Sequence, residues 1–168
     1  EELAEAQKRT EQRVEELATA QKRTENELNK LSISFKILTK EVGTLSHTIG
    51  YRLEDESFKA LPYLLENDFS IKLLGKLKRD FIKTEKERYL EVNIFGKAKK
   101  HEEDFIIVGE AKSQLKKKDI DYFIKKADLI KKYIPTDQIK ILVTYQTSPL
   151  VAEYAKEKNI KIYYSYDF

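Results

Sequence analysis

The chain has 168 residues, 40% of them hydrophobic and 36% charged, with a net charge of +3, which suits one modest core plus a solvated extension. It contains no cysteine, which excludes disulfides and thiolate metal sites and fits a reducing, cytoplasmic compartment. No apolar run reaches the ~18 residues of a membrane span, and no signal-peptide pattern is present.

Methionine is also missing, even at position 1, so the sequence reads as a truncated or processed piece. The absence of Cys and Met beside abundant Lys, Glu, Ile and Tyr leans towards a thermophilic source. Charge divides unevenly. Residues 1–50 carry 8 basic and 9 acidic side chains, and residues 51–168 carry 24 and 20. The C-terminal part is mildly basic, which permits nucleic-acid binding without demanding it.

The first element repeats every fourteen residues, EELAEAQKRTEQRV followed by EELATAQKRTENEL. Fourteen is two heptads. With Leu3 at d, the d positions continue through Thr10, Leu17, Thr24, Leu31, Leu38 and Leu45, and the a positions are Gln7, Val14, Gln21, Leu28, Phe35, Val42 and Ile49. A 3.5-residue period held this long predicts a coiled-coil stalk over residues 1–50, self-associating through residues 3–49. At a rise of 1.5 Å per residue it is about 70 Å long. Two layers, Gln7 with Thr10 and Gln21 with Thr24, are polar and trade stability for register. The e and g positions are mostly small, so a dimer, trimer or tetramer all fit.

The period changes after Gly50. YRLEDESFKALPYLLEN reads as a second helix with Leu53, Ser57, Ala60, Leu61, Leu64 and Leu65 on one side, and Pro62 as a kink or an end. FSIKLLGKLK (69–78) reads as a strand, KERYLEVNIFGKA (86–98) as another, and KKHEED as the turn into an apolar central strand, DFIIVGEAK (104–112). A helix follows over 119–134 with Asp119 as N-cap and an apolar stripe of Ile120, Phe123, Ile124, Ala127, Ile130 and Ile134. Then come a strand (139–146), a helix opened by Ser148 and Pro149, and a last strand from Ile160. The order α-β-β-β-α-β-α-β over residues 51–168 gives an α/β fold, a mixed sheet flanked by helices.

Strand alternation places Glu110 with Lys112 on one face, and Glu91 with Asn93 on one face of the preceding strand. If the two strands are neighbours, the four side chains could converge. Charge at the end of a buried strand must be paired, solvated or metal-bound. Taken alone, Glu-Ala-Lys reads first as an ion pair at a strand end.

Helix, three strands, a polar position in the second strand and Glu-X-Lys in the third resemble the PD-(D/E)XK nuclease superfamily. GEAK at 109–112 matches its (D/E)-X-K element, LEVNIFG at 90–96 lies where its acidic strand belongs, and GYRLEDESFKALP is similar to its first helix. With the heptad stalk, the whole is similar to a group of uncharacterised nuclease-like proteins of thermophiles. The resemblance implies a restriction-endonuclease-like fold and hydrolysis of DNA phosphodiesters. It implies Mg²⁺ or Mn²⁺ held by Glu110, the Ala111 carbonyl and Asn93, with Glu91 as a substitute ligand. Lys112 would act on the attacking water, and Glu54 (or Glu56) from the first helix would complete the site. Apart from the resemblance, Lys116, Lys117 and Lys118 precede a helix, where positive charge opposes the dipole; that suits contacts to phosphate, with Ser113 and Gln114 beside them, and equally suits a solvated loop.

Asn93 departs from the pattern, since the family has Asp there. An amide brings no charge to a cation. That leaves a weak nuclease, a non-catalytic oligomeric DNA- or protein-binding module derived from one, or a deliberately disarmed site. His47, at an outer f position expected to face solvent, and His101, in the hairpin turn, have no partner histidine for zinc.

Overall fold

The computed structural model describes residues 1–85 and 88–168, apart from the side chain of His47. The exposure expected of His47, and the expected start of a strand at Lys86, lie outside the described residues. The chain divides into two compact units, residues 1–46 and 47–168.

The first unit is helical. Helix α1 spans Glu2–Phe69, so the helix expected to begin after Gly50 is not a separate element. Gly43 and Gly50 lie within it, at positions where an added side chain would meet nothing within 4 Å. Serine and threonine hydroxyls along it donate back to the carbonyl four residues earlier, as Thr10 does to Ala6 at 2.9 Å and Thr39 to Phe35 at 2.8 Å. Their polar groups are satisfied inside the helix rather than competing with it. Residues 1–42 are exposed throughout, heptad positions included.

In the second unit the last turns of α1 change character. Leu53, Ser57, Leu61 and Leu65 recur every four residues and are fully buried, as the apolar spacing predicts. The Ser57 hydroxyl is satisfied by the Leu53 carbonyl at 2.6 Å. Pro62 lies inside the helix without ending it. Each buried leucine contributes about 1.5–3 kcal/mol. The helix ends where Ser70 takes a left-handed φ of 52°.

The strand expected over 69–78 is divided. Two residues, β1 (Lys72–Leu73), precede Gly75 at φ 110°, and the longer strand β2 is Lys78–Lys83. The left-handed glycine turns the chain midway through the expected strand, so that a two-residue segment pairs before it and the longer segment starts only at Lys78. Strands β3 (Tyr89–Lys100) and β4 (Glu103–Gln114) form a hairpin around His101, whose φ of 53° suits a tight turn. Both β1 and β2 pair antiparallel with β3. Helix α2 (Lys117–Tyr133) leads to β5 (Asp137–Gln146), and helix α3 (Pro149–Glu157) leads to β6 (Ile160–Tyr164). These last strands pair parallel, β4 with β5 and β5 with β6. The six-stranded sheet is therefore mixed and the fold is α/β.

Alternation along the strands feeds two cores. Leu53, Leu61 and Leu65 of α1 pack with Ile94, Ile107, Ala111 and Ile141. Ile120, Phe123 and Ile130 of α2 and Ala155 of α3 pack with Val92, Ile106, Val108 and Leu142. Helix α1 thus covers one face of the sheet, and α2 and α3 the other. Helix α2 begins two residues earlier than expected. Asp119 stands inside its first turn, and its carboxylate accepts from the Lys116 backbone N–H at 2.9 Å. Ser148 does cap α3, accepting from Val151 N–H at 3.4 Å. No helix among the described residues is long and apolar enough to cross a membrane.

Candidate functional site

Strand β4 lies in the middle of the sheet, and Ile106, Ile107 and Val108 are buried on both faces. Gly109 follows because nothing larger fits. A Cβ there would lie 2.6 Å from Ile141 Cγ1 and 3.1 Å from Ile94 Cβ. Glu110 shares the parity of Ile106 and Val108 and therefore faces α2. It is only 8% exposed. Its Oε2 accepts from Lys126 Nζ of α2 at 2.9 Å, and its Oε1 lies 3.7 Å from Lys112 Nζ. Lys126 is as buried as Glu110, with a tenth of its side chain exposed, whereas Lys112 keeps 45% in solvent.

A second network forms on the α1 side. Glu54, 5% exposed, projects inward from α1, and Asn93 Nδ2 donates to its Oε1 at 2.6 Å. Arg79, from β2, pairs with Glu54 Oε2 through Nη2, and with Glu91 Oε1 through Nη1 at 2.9 Å. Its guanidinium also lies over the Tyr51 ring, 4.8 Å from the centroid. The hydrogen bond to Glu54 raises the Arg79 pKa further above its ordinary value. Glu56, the other carboxylate of the expected first-helix motif, pairs outward with Arg52 at 3.3 Å.

A bulge in β3 aims Asn93. The β2–β3 register passes from Lys78↔Phe95 to Asp80↔Val92, which leaves one extra residue on β3. Val92 packs on the α2 side and Ile94 on the α1 side, so the alternation breaks at Asn93. The β3–β4 ladder also ends at Ile94↔Gly109, one step short of Asn93 and Glu110. The expected convergence of four side chains is thus resolved into two groups. Asn93 and Glu91 join Glu54 around Arg79, and Glu110 and Lys112 join Lys126.

The expected phosphate-contacting residues lie where β4 runs out into α2. Ser113, Gln114, Lys116, Lys117 and Lys118 are all exposed. Lys117 pairs with Asp121 at 3.3 Å and sits 4.4 Å above the Tyr154 ring, and its hydrogen bond to Asp121 raises its pKa. Thr147 Oγ1 donates to the Leu115 carbonyl at 2.9 Å and Leu115 N–H donates to Gln146 O at 3.1 Å, fixing the ends of β4 and β5 together.

Arg79 and Lys126 were not legible as site residues. Arg79 lies in the strand displaced by Gly75. Lys126 did carry a signal, because it falls between Phe123 and Ile130 on the apolar stripe of α2. A lysine at such a position must find a buried anion.

A hard divalent cation takes several oxygen donors, most of them anionic. Among the described residues no group of three or more His, Cys, Asp or Glu side chains could hold one. Glu110 already carries two ammonium groups, Arg79 takes both Glu54 and Glu91, and Asn93 presents its N–H₂ to Glu54. As arranged, each of these donors is engaged by another side chain. No family model, curated protein or solved structure matches the chain.

Proposed function

We propose that the 47–168 unit is a non-catalytic nucleic-acid-binding domain built on a restriction-endonuclease-like plan. The order of one helix, an antiparallel run β1–β4, a helix and a parallel strand supports that plan, as does Glu-X-Lys on the central strand. The observation that carries the reading is the engagement of Glu110 by Lys126 and Lys112. A carboxylate with two ammonium groups within 4 Å is already neutralised, and an entering dication would meet their repulsion. The charge pattern of a hydrolytic site is therefore satisfied internally.

Binding is carried by the exposed cations at the β4–α2 junction. Lys112, Lys116 and Lys118 lie beside the hydroxyl of Ser113 and the amide of Gln114 on one short stretch of chain. Lysines on such a stretch suit the phosphate backbone, with little base selectivity. DNA is the partner favoured here.

Anisotropy of a labelled DNA duplex titrated with the full chain tests the proposal. Binding should need no divalent ion and should weaken with salt, each neutralised phosphate adding about 0.9 to the logarithmic slope. Replacing Lys112, Lys116 and Lys118 by Ala should remove most of it. Cleavage of the same duplex with Mn²⁺, abolished by Lys112→Ala, would instead establish the second reading, a metal-dependent DNA hydrolase. The Glu110–Lys112 pair at the end of a buried central strand favours that reading. Calorimetric titration of Mg²⁺ and Mn²⁺ into the native chain and Asn93→Asp separates the two directly. The binding-module reading expects no heat from the native chain.

A further inference from the structure

The helix of the 1–46 unit keeps its apolar heptad face in water: Leu17 is 69% exposed, Leu31 66% and Phe35 68%. Nothing in that unit covers them, because the unit is one helix. Isolated helices in water are marginal, and a stripe of this length is stabilised by burial against another helix. We propose that the occupant is a further copy of the same chain, lying parallel and in register. The inference is independent of what the 47–168 unit binds.

The polar layers fix the direction. Gln7, Thr10, Gln21 and Thr24 all fall in the N-terminal half of the heptad stretch, and the C-terminal half is apolar at every a and d position. In a parallel, in-register pair each polar residue meets its own copy, Gln against Gln and Thr against Thr. An antiparallel pair overlapping over its whole length would instead set Gln7 against Leu45, Thr10 against Val42, Gln21 against Leu31 and Thr24 against Leu28. Every polar side chain would then lose its partner inside an apolar seam, which costs more than pairing polar with polar.

Register is fixed by the same residues. The fourteen-residue repeat invites a parallel slip of two heptads, which still sets Gln7 against Gln21. That slip also places Gln21 against Phe35 and Thr24 against Leu38, so the end of the repeat at Leu28 penalises it. A short antiparallel overlap of residues 3–28 would match Gln7 with Thr24 and Thr10 with Gln21. It would leave Leu31, Phe35 and Leu38 uncovered and so forgo the most apolar part of the seam. Because the chains run the same way, their 47–168 units follow from the same end of the bundle, and each assembly presents its Lys112–Lys118 segments in more than one copy.

The chain has no native cysteine, so engineered thiols report orientation without interference. Gln7→Cys and Leu45→Cys variants of the full chain are mixed and equilibrated in a glutathione redox buffer. A disulfide forms only where the Cα atoms come within about 7 Å. The proposal expects each variant to bond to its own kind, with homodisulfides exceeding the 7–45 species by about tenfold or more, equivalent to about 1.4 kcal/mol. Dominance of the 7–45 species would overturn it. So would a dominant bond between Gln7→Cys and Thr24→Cys, or sedimentation of the unmodified chain as a monomer at micromolar concentration. Leu17→Asp combined with Leu31→Asp gives a second readout free of thiols: the assembly should sediment as monomers, and an unchanged assembly would also overturn the proposal.

Discussion

On the α1 side of the sheet one cation, Arg79, is shared by two carboxylates; on the α2 side one carboxylate, Glu110, is shared by two lysines. The two networks are mirror images in sign but not in exposure. Arg79 keeps 29% of its side chain in solvent and Glu91 46%, so water screens much of that network. Glu110 and Lys126 each keep only a tenth. Where both partners are buried, the pair offsets its own desolvation only while it is intact. The α2-side pair should therefore be the more damaging to break, although it has fewer hydrogen-bonding groups.

Glu110→Leu should show the largest effect. It leaves the Lys126 ammonium, with a tenth of its side chain exposed, without its buried anion, and loss of one member of such a pair costs about 3–5 kcal/mol. Urea denaturation of the full chain measures it. Lys126→Met should cost less, because Lys112 still faces Glu110. Combining the two substitutions should recover most of the loss, since an apolar pair of similar volume needs no desolvation. A double variant no better than Glu110→Leu alone would mean that the pair positions α2 rather than merely neutralising charge.

Arg79→Met comes next, at about 2 kcal/mol, because it strips the buried Glu54 of its charge partner while Asn93 still donates to it. Glu91 is half in water and should add little. If Arg79→Met proved costlier than Glu110→Leu, burial would not be what ranks the two networks. The geometry of the guanidinium between two carboxylates would then matter more.

The two networks also differ in how far they were legible. Glu110 and Lys112 stand out because charge interrupts a run of buried β-branched residues, and their shared face follows from a period of two. The choice of Glu54 over Glu56 rests on the resemblance alone, since each carboxylate adjoins a residue of the Leu53–Ser57 stripe. What could not be read is where Asn93 points. A single bulge residue, visible only through the β2–β3 register, redirects that side chain towards α1 and ends its pairing with β4. The position of β2 was hidden for a related reason: one left-handed glycine decides which apolar residues of IKLLGKLKRDFIK belong to the strand. Helix periodicity, by contrast, survived well. Leu53, Ser57, Leu61 and Leu65 of α1 and Ile120, Phe123, Ala127 and Ile130 of α2 are buried as the period expects, whereas Ala60, Leu64, Ile124 and Ile134 are only half-buried. A long repeat averages over local exceptions that a six-residue strand cannot.

Asn93→Asp probes the α1 side from within. The new carboxylate would stand where an amide now donates at 2.6 Å to Glu54 Oε1. It removes that hydrogen bond and brings two like charges together, with Arg79 as the cation that pairs with Glu54. A loss of about 1–2 kcal/mol near neutral pH is expected. Protonating either carboxylate would relieve that repulsion. The variant's deficit relative to the native chain should shrink as the pH falls towards the carboxylate range. A deficit independent of pH would show that Arg79 neutralises both carboxylates.

The smallest effect lies outside both networks, at Asp68, and it runs oppositely with pH. Lys161 Nζ donates to Asp68 Oδ2 at 2.9 Å, and the hydroxyl of the buried Tyr163 donates to the same oxygen at 3.0 Å. The hydrogen bond from Lys161 is the larger cause holding the Asp68 pKa below its ordinary value, with Tyr163 adding to it against a counteracting desolvation. A carboxylate with a depressed pKa contributes stability above its unfolded pKa of about 3.9, and that stability disappears as the pH falls through the lower folded value. Above about pH 5 this contribution should be constant, with acid loss confined to the range below about pH 4. More than a third of the Asp68 side chain is exposed, so the contribution is under about 1 kcal/mol after screening. Asp68→Asn should flatten the acid limb of a stability–pH curve by that amount and leave the Glu110 and Arg79 variants ranked as before. A steeper acid limb in Asp68→Asn would mean that the carboxylate is strained by its burial against Tyr163 rather than stabilised by Lys161.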